Sequence, residues 1–585
     1  MRAALFALVV PCMVASAQPT AMRFTECSAD VGCVHQLSFS DYPGELFRMV
    51  GGLTVGDFNA DGWPDVFALG GGGAADSLLI NVGGAFEDQS EAWGLAGLHR
   101  GASASVGDVN ADGLVDLFVV GYGDLAAGPS VLGSKLYLNR GGWFEDVAAA
   151  ASVQRICNVV DGMSSVFADV DLDGDLDLFV CSWITAAQKN RLFINTGVDA
   201  NGIPSFVDAT PSMGVDISRS NGFTPRFADL NGDLYPELLL TADFGTCRLL
   251  VNRGPGEDGL PRFEEVTDAA GVVNDTNGMG SAIGDIDNDG DLDWFITNIY
   301  NAISGTTNTL YLNTGLNEAL DAPDFRQSAT AAGVHNAGWG WGTVLGDYDH
   351  DGDLDLAATG GWFTYPLTPA RLYENLGVSD GLPRFRDVAS TARFNYSGLG
   401  RTLATLDYDR DGDLDLVMAS SSSPIRLFRN DVAAASHAVM FDLDTTLHPC
   451  LPPNGRHARI EIDAGGSTQM RVLDGGPTFL GQSEMVVHFG IGAADHVDEI
   501  RVLWPDGTRQ RFGSVPSGTR TTLTARHPAD MNHDGAFDIA DVPPFLAAFS
   551  AGASDADLDG NGRHELGDVV RFLNALGNPC PSRTR

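Results

Sequence analysis

DYDRDGDLD, residues 407–415, places an oxygen-bearing side chain at positions 1, 3, 5 and 9 and a glycine at position 6. The string recurs as DFNADGWPD from Asp57, DVNADGLVD from Asp108, DVDLDGDLD from Asp169, DLNGDLYPE from Asp229, DIDNDGDLD from Asp285 and DYDHDGDLD from Asp347. These starts lie 51, 61, 60, 56, 62 and 60 residues apart, a period long enough for one four-stranded supersecondary unit with its loops. A tight turn at the glycine lets four side chains converge on one hard cation, which takes 6 to 8 oxygen ligands. No His or Cys occupies a ligand position, so softer metals are disfavoured.

Working outward, each string is followed by a β-rich run such as LDLFVCSW after Asp175, and then by a second signature ending in Asn. The terminal residues of that signature are Asn81, Asn139, Asn195, Asn252, Asn313, Asn375 and Asn430. A Gly-bearing loop and a Phe-containing strand follow, as in FEDV from Phe144. Short strands alternating with turns at this spacing predict radially repeated antiparallel sheets, a seven-bladed β-propeller over residues 22–430. RFTECSADVGCVH from Arg23 resembles the strands that end the other repeats, and the seventh repeat stops at Asn430 without one. The N-terminal strand is therefore expected to complete the last blade and remove an exposed edge.

The predicted calcium ligands in the seven loops are Asp57, Asn59, Asp61 and Asp65; Asp108, Asn110, Asp112 and Asp116; Asp169, Asp171, Asp173 and Asp177; Asp229, Asn231, Asp233 and Glu237; Asp285, Asp287, Asp289 and Asp293; Asp347, Asp349, Asp351 and Asp355; Asp407, Asp409, Asp411 and Asp415. In the fourth loop the glycine has moved to Gly232, leaving Leu234 at the turn, which predicts strain and a weak site.

These loops and their companion strands resemble the FG-GAP/VCBS repeats of integrin α-chain propellers and of bacterial secreted proteins. NGRHARIEI from Asn454, DGGPTFLGQSE from Asp474, HFGIG from His488 and VLWPDGTRQ from Val502 resemble the ASPIC/UnbV domain, which implies a small all-β domain over residues 431–527. DMNHDGAFDIADVPPFLAAF from Asp530 and DLDGNGRHELGDVVRFLNAL from Asp557 are one unit repeated at an offset of 27 residues. Each loop runs into a helix-like apolar run, so residues 528–580 resemble a small α-helical dockerin module. Its ligands are Asp530, Asn532, Asp534, Asp538 and Asp541, and Asp557, Asp559, Asn561, Glu565 and Asp568. The resemblance implies a protein partner, a cohesin-like module or an envelope receptor.

The chain of 585 residues has 77 Asp plus Glu against 35 Lys plus Arg and a formal charge of −42, which excludes a nucleic-acid partner. Of those acids, 33 occupy ligand positions, where up to nine Ca²⁺ would bring the charge to −24. Residues 1–17, MRAALFALVVPCMVASA, read as a cleaved signal peptide too short to span a membrane, which predicts an exported chain. Export leaves seven cysteines, an odd number, with Cys27 and Cys33 the one local pair to propose.

No HExxH or phosphate-cradling glycine loop occurs, and Gly377, Ser379 and Gly381 match a nucleophile elbow only where the repeat places a hairpin loop. The aromatic run at Trp339 and Trp341 reads as packing ahead of a sugar platform. A non-enzymatic binding, adhesion or scaffold protein is the expected function. The alternative is a propeller-type polysaccharide lyase or other glycan-binding protein.

Overall fold

The computed structural model describes residues 22–577 apart from 40–47, 124–132, 155–161, 184–189, 274–275, 364–367, 433–436, 533–536, 554–555 and 559–561. The chain is mainly β. From Phe24 to Asn430 it forms seven four-stranded antiparallel sheets. Six of them use four consecutive strands, as in Leu53–Gly56, Asp65–Ala68, Ser77–Asn81 and Phe86–Asp88. The seventh takes Gly400–Leu406, Asp415–Ser420 and Arg426–Asn430 from its own repeat, and its fourth strand is Phe24–Glu26. Phe24 pairs with Asn430 and Glu26 with Phe428, so the N-terminal strand completes the last sheet as its sequence predicts.

The first strand of each sheet packs against the first strand of the next, and Gly400–Leu406 packs against Leu53–Gly56, so the sheets follow one another cyclically. Composition permits this convergence. The inner strands GASASVG at Gly101–Gly107 and GRTLATL at Gly400–Leu406 are buried along their whole length and rich in small residues, which let backbones approach closely.

The Asn that ends the second signature has, in six of the seven repeats, a structural role that its recurrence alone did not disclose. Its side-chain amide donates to a backbone carbonyl in the loop of the preceding repeat: Asn139 to Phe58 O, Asn195 to Val109 O, Asn252 to Val170 O, Asn375 to Ile286 O and Asn430 to Tyr348 O. Asn81 donates to Tyr408 O at 2.8 Å, carrying the same staple from the first repeat to the seventh. These Asn residues are buried, so removing one amide leaves a buried carbonyl short of a donor. Asn139→Ala is expected to cost about 1–3 kcal/mol, measured as a shift of the denaturation midpoint with an unchanged slope.

Residues 437–524 form a second β unit with a three-stranded sheet, ordered Val487–Gly492, His437–Asp444, Thr519–Thr524, and a four-stranded sheet, ordered Ser467–Val472, Arg459–Ala464, Glu499–Leu503, Arg509–Phe512. Alternation in RIEIDA and EIRVL sends Ile460, Ile462, Ile500 and Val502 into one core with Phe441, Phe489 and Trp504. Beyond it lie two helices, Val542–Ala551 and Leu566–Gly577, joined by Phe545 and Phe572, whose rings stack with centroids 4.1 Å apart. No helix among the described residues is long and apolar enough to cross a membrane.

Between its two sheets the second β unit sends residues 474–484 into the centre of the seven-sheet ring. Phe479 and Leu480 are fully buried there among Met49, Met163, Phe223, Met279 and Trp341. The backbone of this segment is bonded to inner strands all round the ring. Ser281 N and Thr343 N donate to Thr478 O, Ala104 N to Leu480 O, Val55 N to Gln482 O, and Glu484 N donates to Thr405 O. Asp474 pairs with Arg226 and Arg456 donates to Val106 O. In an open channel these inner-strand groups would bond water; the insertion pairs them with backbone instead, while removing two large apolar side chains from water.

One sequence expectation changes here. Cys27 and Cys33 are both free and buried. The Cys27 sulfur lies 3.7 Å from Tyr408 Oη and from Leu427 O, and both residues sit in the apolar cluster between the first and seventh sheets. Cys450, by contrast, is disulfide-bonded. The aromatic run divides: Trp341 is buried against Phe479, whereas Trp339 is half-buried and stacks on Trp362 with centroids 4.9 Å apart.

Candidate metal centre

Each repeated string connects the first strand of a sheet to the second. Position 1 organises the turn: in the first loop Asp57 accepts from Asp61 N at 3.0 Å and from Gly62 N at 2.8 Å, and the same two bonds recur at Asp108, Asp169, Asp285 and Asp347. Position 9 anchors the loop to its sheet. Asp65 accepts from Phe58 N and Asn81 N, and Asp116, Asp177, Asp293, Asp355 and Asp415 repeat the arrangement. The seven position-9 carboxylates are all buried.

In four loops three carboxylate oxygens lie within 4.8 Å of one another: Asp169, Asp171 and Asp177; Asp285, Asp287 and Asp289; Asp347, Asp349 and Asp351; Asp407, Asp409 and Asp415. Each of these loops has Asp at position 3. The loops from Asp57, Asp108 and Asp229 have Asn there, and its amide donates to the position-5 carboxylate at 2.8 Å in Asn59–Asp61, 2.9 Å in Asn110–Asp112 and 3.1 Å in Asn231–Asp233. An amide donor in that place relieves part of the repulsion that the acid trios leave uncompensated.

Burial shows in the acidities. Desolvation pushes Asp65 and Asp285 up to about 7 and Asp347 up to about 6, with Arg471 partly opposing the shift at Asp285 and Asp347. Asp177, Asp355 and Asp415 are raised well above the carboxylate range for the same reason, reinforced by neighbouring acids. Several acids desolvated side by side need protons or a cation to coexist. Because these folded values lie above those of the unfolded chain, the metal-free protein gains stability below about pH 4 and loses it as pH rises through 6 to 7. In chelator, its melting temperature is expected to be higher at pH 5 than at pH 8. Loaded with a divalent ion, whose ligands must be deprotonated, the protein is expected to show the reverse order.

The fourth loop has the left-handed turn residue that its sequence predicts. Leu234 has φ 80°, the left-handed conformation anticipated for the displaced glycine. Every other loop also holds a non-glycine residue in that region, at position 4: Ala60, Ala111, Leu172, Asn288, His350 and Arg410. Two left-handed residues are thus built into each loop, and Gly232 takes the one at position 4. The fourth loop exchanges the two, holding Leu234 at φ 80° where the other loops have glycine, and it shares Asn at position 3 with the loops from Asp57 and Asp108. Its Glu237 is buried and accepts from Leu230 N at 2.7 Å, in the role of the other position-9 acids.

In the C-terminal pair the position-12 acids close the loops. Asp541 accepts from Met531 N, Asn532 N and Asp538 N, and Asp568 from Leu558 N and Glu565 N; both are fully buried. Asp534, Asp559 and Asn561 lie outside the described residues, as do residues 1–17.

The second β unit covers this loop face. Gly490 approaches the sixth loop so closely that a Cβ there would stand 2.0 Å from Asp347 Oδ2. Arg471 donates to Gly352 O, and Glu484 pairs with Arg410 at 3.3 Å and Arg520 at 2.7 Å while accepting from Asp407 N. Gly377, Ser379 and Gly381 lie at the turn of the hairpin Arg371–Ser379 and Leu382–Asp387, with Ser379 paired to Leu382 and no following helix, so no nucleophile elbow exists there.

The family model for FG-GAP-like repeats matches residues 57–119, 108–180 and 229–296, and that for ASPIC and UnbV matches residues 452–529. The chain carries FG-GAP-like repeats and an ASPIC and UnbV domain. Over 525 residues it is 23% identical to cartilage acidic protein 1 of Homo sapiens, covering 84% of this chain and 74% of the relative. The Mus musculus protein of that name is 23% identical over 522 residues, covering 84% and 76%. Among solved structures, an Agrocybe aegerita lectin specific for non-reducing terminal N-acetylglucosamine aligns with a TM-score of 0.37 and 14% identity, over 63% of this chain and 88% of that one. The matched repeats include both acid-trio and Asn-bearing loops. The segment inserted into the ring, residues 474–484, lies within the match to the ASPIC and UnbV domain.

Proposed function

We propose that this chain is an exported, calcium-loaded, seven-bladed β-propeller that acts as a non-enzymatic binding or scaffold protein and docks through a C-terminal dockerin-like module. The observation that carries the reading is the set of four acid trios, each with at least one buried Asp and each on a loop whose ligand positions hold hard oxygen donors alone. Carbonyl oxygens of the loops and water would complete the shell of each Ca²⁺. The ions would hold the sheet-connecting turns, and binding of a partner would fall to the exposed surfaces.

The C-terminal module supports the docking role by what it leaves uncovered. Ile539 is 83% exposed and Leu566, its counterpart at the 27-residue offset, 75%; Leu546 and Leu573 are a second such pair, at 52% and 54%. A two-fold pair of exposed apolar side chains on a small module favours a protein partner. The decisive experiment measures the ions retained after gel filtration and the capture of partners from envelope and secreted fractions, with and without calcium. Bound calcium together with calcium-dependent capture that Ile539→Asp and Leu566→Asp abolish is the expected result. A chain that retains no divalent ion, or capture indifferent to these substitutions, would sink it.

A further inference from the structure

Between the four-stranded sheet of the ASPIC and UnbV domain and the C-terminal module lies a cleft of about 790 Å³. Five arginines line it, Arg459, Arg501, Arg509, Arg511 and Arg526, in a chain that has only 35 basic residues against 77 acids. We propose that this cleft binds an anionic oligosaccharide, one bearing carboxylate or sulfate groups.

The sheet's register arranges the charge. On its outer face Asp463 stands opposite Glu499, the next row reads Glu461, Arg501, Arg511, and the last reads Arg459, Leu503, Arg509. Acids thus end the sheet at one side and guanidinium groups at the other. Arg501 is spent on Asp463, Glu461 and Glu499, and Arg511 on Glu499. Arg459 shares Glu461, and Arg509 makes no ion pair among the described residues. The last row contains no carboxylate and lines the cleft together with Arg526.

Arg459 and Arg509 stand two strands apart, about 9–10 Å, with Leu503 between them. Two anionic groups on successive disaccharide positions can span that distance while the apolar face of a ring rests on Leu503. Thr522 adds a hydroxyl to the lining, whereas Thr508 and Thr524 donate theirs to Asp506 and Asp444 and the Gln510 amide oxygen accepts from Arg526 N. Guanidinium groups bind carboxylate and sulfate oxygens through paired N–H donors. The opposing wall contributes Asp530 and Asp557, each the first acid of a C-terminal loop. The inference goes beyond the calcium reading of the propeller and does not require it.

The test is titration calorimetry on the full chain in calcium, with four hexameric probes: a sulfated oligosaccharide, an oligouronate, a neutral oligosaccharide and hexaglutamate. Saturable binding of at least one acidic sugar, none of the neutral one, and at least tenfold weakening by the Arg459→Ala/Arg509→Ala double variant at unchanged melting temperature and calcium content is the expected result. Arg509→Glu, at an exposed position, gives a second reading that leaves the paired arginines intact. Absence of binding by both acidic sugars, equal binding of the neutral one, tighter binding of hexaglutamate, or indifference to both variants would overturn the assignment. The ion count retained after gel filtration separates this failure from failure of the calcium reading.

Discussion

Excess chelator at pH 8 is expected to lower the melting temperature by tens of degrees or to abolish the cooperative transition. A site held at a free-ion concentration 100 times its dissociation constant stabilises the folded chain by about 2.7 kcal/mol. Four acid trios would together supply on the order of 10 kcal/mol, comparable with the whole stability of a typical domain, about 5–15 kcal/mol. Removing the ions also returns several carboxylates to mutual repulsion in surroundings that already raise their pKa values. Calorimetric scans with graded calcium provide the measurement. An unchanged melting temperature across that series refutes the metal reading. Asp171→Asn, which makes the third loop resemble the loops from Asp57 and Asp108 at position 3, should lower its ion affinity while sparing the metal-free fold.

Gly481→Ala is expected to be as damaging, through packing alone. A Cβ at Gly481 would stand 1.5 Å from Leu53 O and 2.6 Å from the carbonyl carbon, both backbone atoms of the first inner strand. Neither can move without disturbing the bond from Val55 N to Gln482 O and the bond from Ala104 N to Leu480 O. The insertion must withdraw or the ring must open, and either course exposes Phe479 and Leu480. Losing a large buried side chain from a core costs about 3–5 kcal/mol, so a loss of at least that size is expected in urea denaturation. Gly466→Ala, where no atom lies within 4 Å of the added Cβ but φ is 86°, is the control for backbone strain without collision. Equal stability of Gly481→Ala and Gly466→Ala would show that the insertion contributes nothing beyond a turn.

Both predictions depend on contacts between segments far apart in the chain, and they divide what could be read early from what could not. The repeated string discloses itself because its chemistry is local. Asp57, Asp61 and Gly62 act on one another within six residues, so spacing and residue type alone define the turn, and the same holds for Asp541 over its own loop. Strand content and the pairing of Phe24–Glu26 with the seventh sheet follow from local periodicity and from one missing strand in an otherwise regular count.

What the Asn staples do was hidden because each carbonyl they reach lies in the preceding repeat, 81 to 89 residues earlier, or, for Asn81 and Tyr408, at opposite ends of the repeat array that the ring brings together. Cys27 and Cys33 looked like a pair by proximity in sequence, but the Cys27 sulfur lies against Tyr408 and Leu427, and both thiols are buried and free. DGGPTFLGQSE shows an apolar pair among glycines and no more. Only closure of seven inner strands creates the space that Phe479 and Leu480 fill, and the backbone proximity that demands glycine at position 481. Sequence by itself determined the repeat, the oxygen-donor loops and the order of the units, because those rest on interactions within a turn or a strand. The tertiary structure alone decided which thiols stay free, how neighbouring repeats are tied, what occupies the centre of the ring and where five arginines meet in an acidic chain, because each depends on atoms brought together only after the ring has closed.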